Sequence, residues 1–75
     1  MKIYGYQNTE VEDPTLIELS EISLCASPTK LRDIATFLKK MADDMEKDDS
    51  FEHAHLQDNC DNWQINSPDI IVCAQ

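Results

Sequence analysis

A long amphipathic repeat occupies the middle of the chain, between residues 28 and 47. Apolar side chains recur there every three or four residues, the spacing that aligns them along one side of an α-helix. Ser27 and Pro28 stand before the repeat, and a serine cap followed by proline in the first turn is typical of a helix start. The pattern therefore predicts a helix from Ser27-Pro28 to about Lys47. Its predicted core-facing stripe comprises Leu31, Ile34, Ala35, Leu38, Met41, Ala42 and Met45, widened by Phe37.

Alternating apolar and polar residues predict two strands on each side of this helix. The first two candidates are residues 2–7 and 15–26, joined by a polar connection over residues 8–14. The other two are residues 51–57 and the apolar run 69–74. For one domain of 75 residues, the order β-β-α-β-β favours an α+β fold. We expect a four-stranded antiparallel or mixed sheet with the helix on one face, and a homodimer that covers the other face.

The second strand candidate contains a shift of phase. In a regular strand, Ile17 and Leu19 point to one face, whereas Ile22 and Leu24 point to the other. Two explanations fit: a β-bulge near residues 20–21 resets the phase, or both faces of the strand are partly covered. The second explanation implies a partner on the far face.

Charge narrows the range of partners. The chain has a net charge of -9, and five of its six basic residues lie within residues 28–47. Outside that stretch Lys2 stands alone against eleven carboxylates. Such a surface repels nucleic acid and anionic membranes and attracts a basic protein. Acidity that only keeps a small protein in solution explains the charge equally well.

The cysteines and the N-terminus indicate a compartment. Cys25, Cys60 and Cys73 make an odd number, which does not favour a disulfide framework. The first ten residues, MKIYGYQNTE, contain no apolar run of the kind found in signal peptides or membrane spans. We therefore expect a cytoplasmic protein with reduced thiols.

Residues 51–63 concentrate the side chains that could carry chemistry. His53 and His55 alternate along a predicted strand, so both imidazoles lie on one face, but two histidines do not complete a zinc site. Cys60 beside His55 could form a nucleophilic pair, yet no glycine-rich turn or helix N-terminus offers an oxyanion hole. Gly5 is the single glycine, which excludes a phosphate-binding loop. The sequence thus predicts no catalytic residues, no metal and no cofactor.

In their order along the chain, LIELSEISLCASPTKLRDIATFLKKMADDME, FEHAHLQD, the lone W and PDIIV form a pattern. This pattern resembles the immunity protein 32 family of bacterial polymorphic toxin systems. The resemblance extends from about Leu16 to Val72, and its most specific part is Phe-Glu-His-x-His-Leu-Gln-Asp at residues 51–58. The tail of residues 73–75 and the string DNCDN carry none of it. The resemblance implies a small, non-catalytic cytoplasmic protein that binds and blocks a toxin made by the same cell.

Charge and resemblance together suggest which residues face such a toxin. Many toxins of this kind are nucleases with basic clefts, which an acidic inhibitor could fill. Trp63 can act as an aromatic anchor, although a single tryptophan also suits a core. The candidate partner-binding residues are Glu18, Glu21, Glu52, His53, His55, Asp58, Asp61 and Trp63. The alternative function is that of a small homodimeric structural or regulatory protein with another partner.

Overall fold

The computed structural model describes residues 1–8, 10 and 12–75, so residues 9 and 11 of the predicted connection lie outside the described residues. The strands found there form two separate two-stranded antiparallel sheets, β1 with β2 and β3 with β4. We call them the β1–β2 and β3–β4 hairpins, although α2 lies in the connection between β3 and β4. The α+β class is confirmed, but the expected four-stranded sheet and the order β-β-α-β-β are wrong. The elements are β1 (Ile3–Gly5), β2 (Ile17–Leu19), α1 (Pro28–Lys47), β3 (His53–His55), α2 (Leu56–Asn59) and β4 (Ile71–Cys73).

The phase shift in the second strand candidate is resolved by the strand ending early. β2 stops at Leu19, and the chain bends at Ser20. Ile17 and Leu19 therefore belong to the hairpin, whereas Ile22 and Leu24 lie in the segment that leads to α1. The predicted strand over residues 15–26 is too long because one straight strand cannot place both pairs on the same face.

The helix α1 begins and ends where the sequence predicts. The hydroxyl of Ser27 accepts a hydrogen bond from the N–H of Lys30 at 3.2 Å, and Pro28 occupies the first turn. At the other end the N–H of Asp48 donates to the carbonyl of Asp44. Both caps are local, so they follow from the neighbouring residues alone.

Fewer side chains of α1 are buried than predicted, and the buried row is centred on Phe37. Ile34, Phe37 and Met41 are buried, with Phe37 only 3% exposed. Leu31 and Leu38 are 42% and 45% exposed, so their predicted place in the core is wrong. The reason is width: two strands about 4.8 Å apart cover one row of helix side chains, whereas a four-stranded sheet would cover two. A second apolar row remains on the surface, formed by Leu31, Ala35, Leu38 and Ala42.

The core lies between α1 and the β3–β4 hairpin. Ala54 on β3 pairs with Val72 on β4, and both side chains pack against the buried helix residues. The chain then turns into α2, which places Leu56 completely out of solvent. Within the described residues, neither strand of the β1–β2 hairpin contributes to this cluster. The partly buried side chains around it are Phe51, Ala54, Cys60, Trp63, Ile70 and Val72.

Candidate binding surface

A hydrogen-bonded cluster centred on Asp69 joins β3, α2 and the start of β4. One carboxylate oxygen of Asp69 lies 2.6 Å from Nδ1 of His55, and the other accepts the N–H groups of Gln57 at 3.1 Å and Ile70 at 2.9 Å. Burial alone raises the pKa of Asp69, but the hydrogen bonds from His55, Gln57 and Ile70 outweigh it and hold that pKa below its ordinary value. An ionised carboxylate only accepts, so Nδ1 of His55 carries the proton in this contact.

This cluster explains why β3 is shorter than the predicted strand over residues 51–57. The N–H of Gln57, in the first turn of α2, is bound by the Asp69 side chain instead of by a neighbouring strand. At the end of the same turn, the side-chain amide of Asn59 donates to the carbonyl of His55 at 2.8 Å. Asp69 therefore acts as a distant cap for a single helical turn.

The two histidines lie on one face of β3, as the alternation predicts. Their rings meet edge to face, with centroids 5.5 Å apart and planes inclined by 70°. His53 is exposed and stands opposite Cys73, whereas His55 is half-buried and stands opposite Ile71. Across the described part of the chain, no three histidine, cysteine or carboxylate side chains are grouped so as to hold a metal ion.

Trp63 is held from two directions. Its indole N–H donates to the carbonyl of Pro68 at 3.1 Å, and Nζ of Lys30 lies 4.6 Å from the ring centroid. The ring also packs against the core cluster. The two sequence-based interpretations of Trp63, core residue and surface anchor, are therefore compatible, since the half-buried ring contacts both the core and the surface.

An open groove of about 480 Å³ lies beside this tryptophan. One wall is the segment before α1, which contributes Leu24 and Ala26, and another is Ile34 on α1. Trp63, Pro68 and Ile70 add to the apolar lining. The groove is therefore built from three distant parts of the sequence, brought together by the packing of α1 on the second hairpin.

The acidic candidates are all exposed but are distributed over several elements. Glu18 lies in β2 opposite Tyr4, and Glu21 follows the bend after that strand. Glu52 immediately precedes β3, Asp58 lies in α2, and Asp61 lies in the turn that follows. Within the described residues none of these five carboxylates takes part in an ion pair. Their charges are thus available to a partner.

Three features of this surface were not predicted from the sequence. The run 69–74 predicts a strand position for Asp69, although Ser67-Pro68-Asp69 is also a turn signal that indicates a capping role. The helical repeat does not indicate that Lys30 lies over Trp63. The strand candidate over residues 15–26 does not indicate that Leu24 lines a groove. Each role depends on a contact with a residue more than ten positions away.

The described residues form a small α+β protein with an apolar groove and with exposed carboxylates that take part in no ion pair among these residues. Comparison with protein-family models matches residues 21–75 to immunity protein 32, so the chain belongs to this family and the resemblance seen in its sequence is confirmed. The match begins after the β1–β2 hairpin. Comparison with curated proteins and with solved structures gives no match. Among the described residues, no helix has the length and apolar character needed to cross a membrane.

Proposed function

We propose that the chain, as one small domain in the bacterial cytoplasm, binds and neutralises a cognate protein toxin without catalysis of its own. The observation that carries the proposal is the family match over residues 21–75, since immunity proteins protect by binding. The direct test is co-expression: the product of a toxin gene found beside this chain's gene should arrest growth when expressed alone, and co-expression of the chain should restore growth. Growth arrest that the chain does not relieve would contradict the proposal.

The charge distribution supports a basic partner. The helix α1 has five basic and four acidic residues and is close to neutral, so the negative charge lies almost entirely elsewhere. Opposite charges on two proteins accelerate their association, and salt weakens that attraction. The proposed toxin-facing residues are Glu18, Glu21, Glu52, His53, His55, Asp58, Asp61 and Trp63.

Association with the toxin should therefore slow at least about tenfold as salt rises from about 50 to about 300 mM. Removing two negative charges with Glu52→Gln and Asp61→Asn should slow it several-fold at low salt. The matched control, Asp43→Asn with Glu46→Gln on α1, removes the same charge from exposed sites on the helix and should change the rate less. Stopped-flow kinetics measure the rate at which the wild type and each double variant associate with the toxin. Equal slowing by both double variants, or no salt dependence, would contradict the electrostatic part.

A homodimer is the second proposal. Among the described residues there is no four-stranded sheet whose open face a second copy could cover, so the exposed apolar row on α1 is the surface that favours it. Leu31, Ala35, Leu38 and Ala42 lie one row away from the core on a helix whose charges nearly cancel. Two such rows can pack against each other around a two-fold axis, because neither copy brings a large net charge to the contact. A homodimer with no toxin partner would fit the alternative function, a structural or regulatory protein.

Light scattering should give a dimer mass for the wild type at high micromolar concentration and a monomer mass for Leu38→Asp. The substitution places a carboxylate in the centre of the exposed row, where self-association would bury it. Asp43→Asn serves as a control because it changes one charge on α1 outside that row. A monomer mass for the wild type would contradict the homodimer.

A further inference from the structure

The segment that connects β2 to α1 has the properties of a strand without a partner. Residues 21–26 run without a turn or a second bend, and Ser27 continues them with extended backbone angles, φ -70° and ψ 160°. Ile22 and Leu24 alternate along the segment and are both about half exposed. Among the described residues, no backbone hydrogen bond joins this segment to another part of the backbone.

Such a segment can accept an added strand. A run of six residues in strand conformation spans about 20 Å and presents a row of N–H and C=O groups along each edge. A peptide that pairs with an open edge gains its affinity from these backbone bonds, and it gains selectivity from pockets that receive alternate side chains. The groove provides such a pocket, because Leu24 and Ala26 of the same segment form one of its walls.

The charge of the molecule decides between a foreign strand and a second copy. Glu21 begins the segment, Glu18 lies three residues before it in β2, and Asp61 lies two residues before Trp63. Among the described residues, the one charged side chain in the groove lining is Lys30, so an apolar side chain suits the groove and basic side chains suit the start of the segment. A second copy that paired through the same segment would bring its own Glu21, and the Glu18 that precedes it, to the contact. Like charges brought together this way oppose pairing, whereas lysine or arginine side chains on the added strand would favour it.

We propose that residues 21–26 bind an extended, basic segment of the toxin, which pairs with their backbone and inserts an apolar side chain into the groove against Trp63. This inference rests on the proposed function and specifies its mode of recognition. The whole surface, from Glu21 to Ile70, lies inside the part of the chain that matches the family. The β1–β2 hairpin precedes the segment and contributes only the charge of Glu18, in β2, to the proposed contact.

Amide hydrogen exchange, resolved by residue, tests the backbone pairing. In the free chain the amides of residues 21–26 should exchange rapidly. In the complex with the product of the adjacent toxin gene, alternate amides should be protected at least about tenfold, either Ile22 and Leu24 or Ser23 and Cys25, because successive N–H groups of a strand point to opposite edges. A complex that leaves all six amides unprotected would overturn the inference while leaving the proposed function intact.

Two further outcomes are decisive. Protection of these amides in the concentrated chain without toxin would show that a second copy occupies the segment, which also overturns the inference. Failure of the chain to bind the toxin at all removes the proposed function and the inference with it.

A matched pair of leucine variants tests the groove. Leu24 and Leu16 are 52% and 50% exposed, so Leu24→Asp and Leu16→Asp place the same charge at equally accessible positions, one in the groove wall and one before β2. Leu24→Asp should weaken toxin binding at least about tenfold, and Leu16→Asp should change it less than about twofold. Circular dichroism verifies that both remain folded. Equal affinities of the two variants would show that the groove is not the contact.

Discussion

Phe37→Asp should unfold the protein, whereas Leu38→Asp should leave it folded. The two positions are adjacent on α1, but Phe37 is among the most buried side chains and Leu38 is nearly half exposed. A carboxylate at position 37 would lie in an apolar core without a partner, at a cost of several kcal/mol. A chain of this size has roughly 3–5 kcal/mol of stability in total. Far-UV circular dichroism and thermal unfolding distinguish the two variants.

Phe37→Leu provides the control for position 37. It keeps an apolar side chain in the core and should remain folded with a lower melting temperature, because volume lost from a packed core is only partly recovered. An unfolded Leu38→Asp variant would show that the second apolar row of α1 belongs to the core, as the sequence alone predicts. That result would contradict a core to which α1 contributes only the row of Ile34, Phe37 and Met41.

Asp69→Ala should lower the free energy of unfolding by roughly 2–3 kcal/mol. The substitution leaves His55, Gln57 and Ile70 without their common acceptor, and hydrogen bonds to a charged group are stronger than average. Asp61→Ala is the matched control, since the exposed Asp61 side chain takes part in no ion pair among the described residues. Its effect should stay within about 0.5 kcal/mol. Urea unfolding followed by circular dichroism measures both.

The same carboxylate should make the stability depend on pH in the acid range. The hydrogen bonds hold the pKa of Asp69 below its value in the unfolded chain. A depressed pKa contributes stability that is complete above the unfolded value, about 3.9, and is lost as the pH falls through the folded value. The difference in unfolding free energy between wild type and Asp69→Ala should therefore shrink below about pH 4. A difference that stays constant down to about pH 2 would contradict this role of Asp69.

Local signals in the sequence predict α1 well and the strands poorly. The Ser27-Pro28 start and the end near Lys47 depend on neighbouring residues, so both could be predicted. The exposure of Leu31 and Leu38 could not be predicted, because it depends on how many strands cover the helix. The sequence pattern suits one sheet of four strands, but the bend at Ser20 and the turn into α2 shorten the strands and leave two separate hairpins.

The candidate surface was predicted in part. The alternation of His53 and His55 correctly places both rings on one face, because strand geometry alone determines it. The contacts of the surface residues could not be predicted, because they join distant parts of the sequence. Asp69 contacts His55, fourteen positions away, and Leu24, which precedes α1, lines the same groove as Trp63, which follows α1. Whether the eight candidate residues face a toxin stays a prediction.

The position of Trp63 gives the molecule its own optical reporter. It is the chain's one tryptophan, it is half-buried in the wall of the groove, and an ammonium group lies above its ring. Indole emission responds both to water and to nearby charge. Any occupant that displaces water from the groove or moves Lys30 would therefore shift the emission. Occupancy can be followed in the unlabelled protein, provided that the partner contributes no tryptophan fluorescence of its own.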